Sequence, residues 1–168
     1  APVMADDDDF VITGSDNPTN GTGTTNDGTA AAIADTAING SDTVSLGIAL
    51  TTTGTNIGIK TNNNDTEAQS NTVTVTGTGS ITTGTGNNAY GIYNDGAFNT
   101  TTVSGSITTK GDDSHGIYNK GNTNTTTVSG SIATGNVSSN AGRASYGIFN
   151  EGNNNTTTLS GDITTLNW

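Results

Sequence analysis

The chain has 168 residues, 29% hydrophobic and only 5% aromatic, too few for the broad core of an ordinary globular domain. Charged residues make up 11%, so the composition is not that of a highly charged disordered protein either; Gly, Thr, Asn and Ser fill the difference. A net charge of −11, from four Lys plus Arg against fifteen Asp plus Glu, argues against nucleic acid or an anionic membrane surface as a partner, since basic side chains hold both.

Such a composition can fold if a few apolar anchors per unit stack into a narrow, continuous core. The absence of cysteine excludes disulfides and thiolate metal sites. No apolar run approaches the roughly 20 residues of a membrane-spanning helix.

The start, "APVMADDDDF", places a small residue first, as signal-peptide cleavage does, so a mature secreted protein is expected. Residues 1–9 read as an acidic leader. Its carboxylates are of the kind that attract Ca²⁺, but a solvated segment explains them as well, and no cofactor is expected. Residues 10–168 read as a single β-solenoid domain, with degenerate coils over 10–70 and clear repeats over 71–165.

The clear repeat carries three extended segments, "NTTTV", "GSITT" and "GIYN". The expected anchors of the first are Val44, Val75, Val103, Val128 and Leu159. Those of the second are Ile48, Ile81, Ile107, Ile132 and Ile163. The third supplies Ile33, Ile59, Ile92, Ile117 and Ile148. The step from a third-segment anchor to the next first-segment anchor is eleven residues at Ile92–Val103, Ile117–Val128 and Ile148–Leu159, and also at Ile33–Val44. The period is 25 residues from Ile92 to Ile117 and 31 from Ile117 to Ile148. The six extra residues fall in "ATGNVSSNAGRASY", a corner, and "TNNNDTEAQS" at 61–70 expands another. Solenoids tolerate such lengthening because a loop grows without disturbing the stacked strands.

Each segment is rich in β-branched residues and punctuated by Gly or Asn, which describes a short strand. Recurrent Gly and the lack of a 3.6-residue pattern exclude helix. The expectation is an all-β parallel solenoid of about five coils, each with three short strands. Period-2 alternation turns Thr101 inward with Val103 and leaves Thr100 and Thr102 outside. Gly91, Gly116 and Gly147 mark a corner that needs either positive φ or close approach. Asn94, Asn119 and Asn150 fall in successive coils, where stacked amides can bond along the axis.

The run "GSITTKGDDSHGIYNKGNTNTTTVSGSI" resembles the repeats of bacterial autotransporter passenger domains and related surface adhesins, over about residues 71–165 and more weakly over 30–70. The resemblance implies a right-handed parallel β-helix at the cell surface, usually without enzymatic activity. Passengers are normally followed by a membrane β-barrel, for which this sequence carries no counterpart.

Four surface features are candidates for function. Outward threonines, Thr100/Thr102, Thr125/Thr127 and Thr156/Thr158, with Thr72/Thr74, form a grid similar to the ice-binding faces of some β-solenoid antifreeze proteins; Thr is equally the natural solvent-facing strand residue. Tyr93, Tyr118 and Phe149, beside Tyr90, His115 and Tyr146, form aromatic ladders that suit either a host or cell-surface glycan or plain strand-to-strand packing. Asp95, Lys120 and Glu151 alternate in sign and would favour one register of stacking. His115 stands alone, with no second imidazole or thiol to complete a transition-metal site. Scattered carboxylates offer no converging acid–base pair, so no catalytic residue is expected.

No segment reads as a capping helix, and the unpaired strand edges at the ends of a stack need cover. Phe10, Val11 and Ile12 at one end and Leu166 and Trp168 at the other are the candidate assembly residues. The expectation is a secreted, non-enzymatic structural or adhesive protein that stacks head-to-tail with itself into a filament; the alternative is a ligand-binding solenoid, recognising ice or glycan.

Overall fold

A computed structural model describes residues 9–12, 31–33, 42–62, 70–136 and 144–167. Residues 1–8 of the acidic leader and Trp168 lie outside the described residues. So do 63–69 and 137–143, within the two expanded corners.

The described chain is sixteen strands in three parallel sheets that share one axis. The first sheet holds β1 (Asp9–Ile12), β3 (Thr43–Leu46), β6 (Thr72–Val75), β9 (Thr100–Val103), β12 (Thr125–Val128) and β15 (Thr156–Leu159). The second holds β4 (Ala49–Thr51), β7 (Ser80–Thr82), β10 (Ser106–Thr109), β13 (Ser131–Asn136) and β16 (Asp162–Asn167). The third holds β2 (Ala31–Ile33), β5 (Ile57–Asn62), β8 (Ile92–Asp95), β11 (Ile117–Lys120) and β14 (Ile148–Glu151). The chain visits the sheets in turn, so each circuit lays one strand on the same strand of the coil before. This is a parallel β-solenoid. About four turns are complete, β3 to β14, rather than about five.

The core is a file of aliphatic side chains, one column per sheet. Ile59, Ile92 and Ile117 are fully buried, and Ile148 packs on them from a partly buried position. In the backbone register Ile33 pairs with Ile59. Across the axis stand Ile81, Ile107 and Ile132, and Val75, Val103 and Val128, all buried. Burying a Val or Ile side chain contributes about 1.5–3 kcal/mol, so a thin core becomes stable by repetition.

Two expected anchors occupy other places. Leu46, not Val44, lies opposite Val75, and Val44 pairs with Val73 instead. Leu50, not Ile48, lies opposite Ile81; Ile48 packs on the core from its flank. The eleven-residue step from Ile33 to Val44 is therefore coincidental. Both displacements are of two residues, which leaves the facing of every side chain unchanged, so alternation alone gives no sign of them.

Corners are set by glycine in two ways. At Gly116 the reason is close approach: a Cβ there would lie 2.4 Å from Ile132 Cγ2 and 2.6 Å from the Gly147 carbonyl oxygen. At the turn after the third strand it is backbone conformation, with φ of 141°, 133° and 126° at Gly96, Gly121 and Gly152. The same turn holds Phe98, Thr123 and Asn154 at φ of 62°, 62° and 59°.

Candidate functional site

The Asn residues of the third segment build a hydrogen-bonded file inside the solenoid. Thr61 Oγ1 donates to Asn94 Oδ1 at 2.9 Å, Asn94 Nδ2 to Asn119 Oδ1 at 2.7 Å, and Asn119 Nδ2 to Asn150 Oδ1 at 2.8 Å. Each Nδ2 carries a second hydrogen, and the middle threonine of the next "NTTT" run accepts it. These bonds are Asn94 to Thr101 and Asn119 to Thr126, both at 2.9 Å, and Asn150 to Thr157 at 3.2 Å. The threonine run thereby gains a reason. In the coil of β5 the file holds Thr61, whose hydroxyl has no second hydrogen, and the facing position in β6 is Val73. Where Asn enters, Val gives way to Thr101, Thr126 and Thr157.

A second Asn file runs beside the first. Oδ1 of Asn71, Asn99, Asn124 and Asn155 accepts the backbone N–H of Asp42, Asn71, Asn99 and Asn124 respectively, at 2.8–3.2 Å. It caps an N–H just ahead of β3, β6, β9 and β12. Sequence reasoning missed this file, although an Asn heads every "NTTT" copy; strand alternation is silent about a residue in the turn.

The aromatic ladders form one cluster on the outer face of the third sheet. Tyr93 stacks on Tyr118 with centroids 4.9 Å apart and planes at 20°, and Tyr90 on His115 at 5.4 Å and 22°. Tyr146 stacks on Phe149 at 5.6 Å and 20°. Rings that stack along the axis present their faces to one another, which a sugar would otherwise cover. His115 is 7% exposed, and its Nδ1 accepts the Tyr146 backbone N–H at 3.1 Å. Burial lowers its pKa from the ordinary imidazole value, and the nearby Asp113 carboxylate opposes that shift. Lys120 sits in register between Asp95 and Glu151. Burial raises the Tyr118 phenol's pKa, and the Glu151 carboxylate, which accepts its hydroxyl, adds to that shift.

The threonine grid is in place. Thr72, Thr100, Thr125 and Thr156 form one column and Thr74, Thr102, Thr127 and Thr158 the other, in unbroken register. Thr43 and Ser45 extend both columns onto β3.

Two cavities lie elsewhere. A polar groove of about 490 Å³ follows the "SGS" corners, between Ser104, Ser129 and Ser160. An apolar cleft of about 250 Å³ lies on the second sheet between Thr109, Thr134 and Leu166. The charged groups lining them are Asp162 in the groove and Lys110 in the cleft, which do not meet. Among the described residues no group of three or more His, Cys, Asp or Glu is placed to hold a metal ion.

The exposed apolar surface is concentrated in one place. Among the described residues, the exposed large hydrophobic side chains are Tyr146, Leu159, Ile163 and Leu166, at 49%, 47%, 36% and 42% exposure. All four belong to the coil of β14, β15 and β16. Leu159 and Ile163 continue columns whose earlier members, Val128 and Ile132, are buried. Of the expected assembly residues, Phe10, Val11 and Ile12 form β1, paired with Val44, Ser45 and Leu46.

Comparison with protein-family models, with curated proteins and with solved structures gives no match. The part of the autotransporter resemblance that the structure carries is the β-solenoid repeat itself.

Proposed function

We propose that this chain is a secreted, non-enzymatic structural or adhesive element that works by stacking coil on coil with further copies of itself. The observation that carries this reading is the uncovered coil of β14–β16. Its core positions, Leu159 and Ile163, lie exposed although the same positions in every earlier clear repeat are buried. Exposed columns of this kind, bordered by open strand edges, favour addition of another parallel strand layer. A repeated, head-to-tail contact generates an open filament. The bacterial surface setting rests on the resemblance of the repeats to passenger domains.

Sedimentation velocity across a concentration series, with negative-stain microscopy, tests the proposal. Rods longer than one chain's stack, about 25 Å for five layers at the spacing of β-strands, are expected. A monomer at every concentration with no fibres ends the reading.

The regular grid supports a second reading. Two threonine columns about 7 Å apart, repeating about every 4.8 Å along the axis, form a surface that can order water. An ice-recrystallisation assay with wild type and Thr102→Tyr/Thr127→Tyr examines it; inhibition must be present in the first and lost in the second.

A further inference from the structure

We infer that Tyr93 and Tyr118 form an oxidative modification site. A one-electron oxidant drawing on peroxide joins the two phenols by a carbon–carbon bond into dityrosine, which staples two neighbouring coils. The chain has four tyrosines and no cysteine, and all four tyrosines lie in the aromatic cluster of the third sheet. Tyr93 and Tyr118 are paired residues of β8 and β11, both partly exposed, with ring centroids 4.9 Å apart and planes at 20°. Tyr90 meets Tyr118 edge-on, at 5.1 Å and 66°. Tyr146 lies against His115 and Phe149, neither of them a phenol.

A phenol that loses an electron sheds its proton as well, so the ring that oxidises most readily has a base within hydrogen-bond reach. Tyr118 has one: its hydroxyl donates to the Glu151 carboxylate of the next coil. The Tyr90 hydroxyl donates to the side-chain oxygen of Asn88, an amide that takes up no proton. Tyr118 therefore gives its electron to the oxidant and its proton to Glu151, and Tyr93 gives its electron to the oxidant and its proton to water. The two phenoxyl radicals couple between ring carbons ortho to their oxygens. The hydrogen on each of those carbons then moves to the oxygen and restores both phenols. For each bond formed, one hydrogen peroxide takes up the two electrons and two protons and becomes two waters. Positions 93 and 118 are one 25-residue period apart. The bond closes a loop of that length, as a disulfide would, and constrains the unfolded chain. Both partners belong to one chain, so the staple needs no assembly.

The test treats the folded full chain, as an equal mixture of unlabelled and isotope-labelled protein, with hydrogen peroxide and a haem peroxidase. Dityrosine fluorescence, peptide masses after cleavage at Lys and Arg, and the melting temperature are read. Lys110 lies between the two tyrosines, so cleavage puts them on separate peptides that only the new bond holds together. The expected product joins those peptides with the loss of two hydrogens, carries a single label state, and melts at least about 5 °C higher. Tyr118→Phe and Tyr93→Phe each keep a ring in the stack and should abolish this product; Tyr90→Phe and Tyr146→Phe should leave its yield unchanged. Glu151→Gln, which still accepts the hydroxyl but takes up no proton, should slow its formation at least about tenfold. A product that mixes labels, one that survives Tyr118→Phe, or a folded wild-type chain that yields no dityrosine would overturn the site. A linked product that melts no higher would overturn the staple, and a Glu151→Gln rate equal to wild type the proton acceptor.

Discussion

Asn94 donates through Nδ2 to Oδ1 of Asn119 at 2.7 Å, and both residues are fully buried in a core with few apolar side chains. An amide in such a place is stable because both its hydrogens and its oxygen find partners. Broken at one point, the file leaves orphans on either side.

Asn119→Leu therefore strands one Asn94 hydrogen and the buried Thr126 hydroxyl. At about 1–3 kcal/mol for each orphaned group, urea denaturation should show a loss of about 2–6 kcal/mol. Thr126→Val alone should lower stability by about 1 kcal/mol, and the double variant by less than the sum, since neither partner is then left waiting. Strict additivity would show that the Asn119–Thr126 bond contributes nothing.

Thr123 holds φ at 62° with a β-branched side chain, a conformation in which Asn154 is its counterpart one coil later. A left-handed residue of this kind carries about 1–2 kcal/mol of strain, less for Asn. Thr123→Asn should raise the melting temperature, corresponding to about 0.5–1 kcal/mol. An unchanged or lower melting temperature would contradict the strain.

Gly116→Ala should disrupt the stack, since its Cβ meets the Ile132 side chain at 2.4 Å and a backbone oxygen at 2.6 Å. Overpacking against backbone corresponds to at least about 2–3 kcal/mol. Gly77→Ala, where nothing lies within 4 Å of the added atom, is the control and should stay within about 0.5 kcal/mol. Equal melting curves for the two variants would refute the close-approach account.

His115 links stability to pH. Its folded-state pKa is lowered, by burial first, so the unfolded chain binds the proton more readily. Stability from the neutral imidazole is thus fully present above the unfolded value of about 6.5 and is lost as pH falls below it, towards the lower folded value. Protonation also turns the Nδ1 that accepts the Tyr146 N–H into a donor facing a donor. The melting temperature should fall between pH 7.5 and pH 5.5, and His115→Tyr, matching Tyr90 and Tyr146, should flatten that fall. A variant with the same slope as wild type would assign the dependence to other groups.

Much of the stack was legible because its letters repeat. The isoleucines of "GIYN" recur with their glycine, and Tyr93, Tyr118 and Phe149 follow them, so both core and aromatic columns could be counted off the sequence. The file of Asn94, Asn119 and Asn150 was legible for the same reason. In the earlier coils the pattern offers two apolar residues two positions apart, Val44 and Leu46. Both face inward, so the hydrophobic pattern fits either register equally well. The file of Asn71, Asn99, Asn124 and Asn155 escaped notice because its function lies in reaching a backbone N–H of the preceding coil.

The sequence by itself determined the period, the three-strand coil and the facing of nearly every anchor, since alternation and glycine placement act within a few residues of each position. Only the tertiary structure decided which coil position lies on which, that the central threonine of each "NTTT" serves the amide of an Asn in the file, and that, among the described residues, the exposed large apolar side chains gather on one coil. The coil-to-coil pairs are 25 or more residues apart, and the Asn–Thr pairs, seven apart, meet only because a turn folds one sheet's strand against the next, which strand alternation does not record.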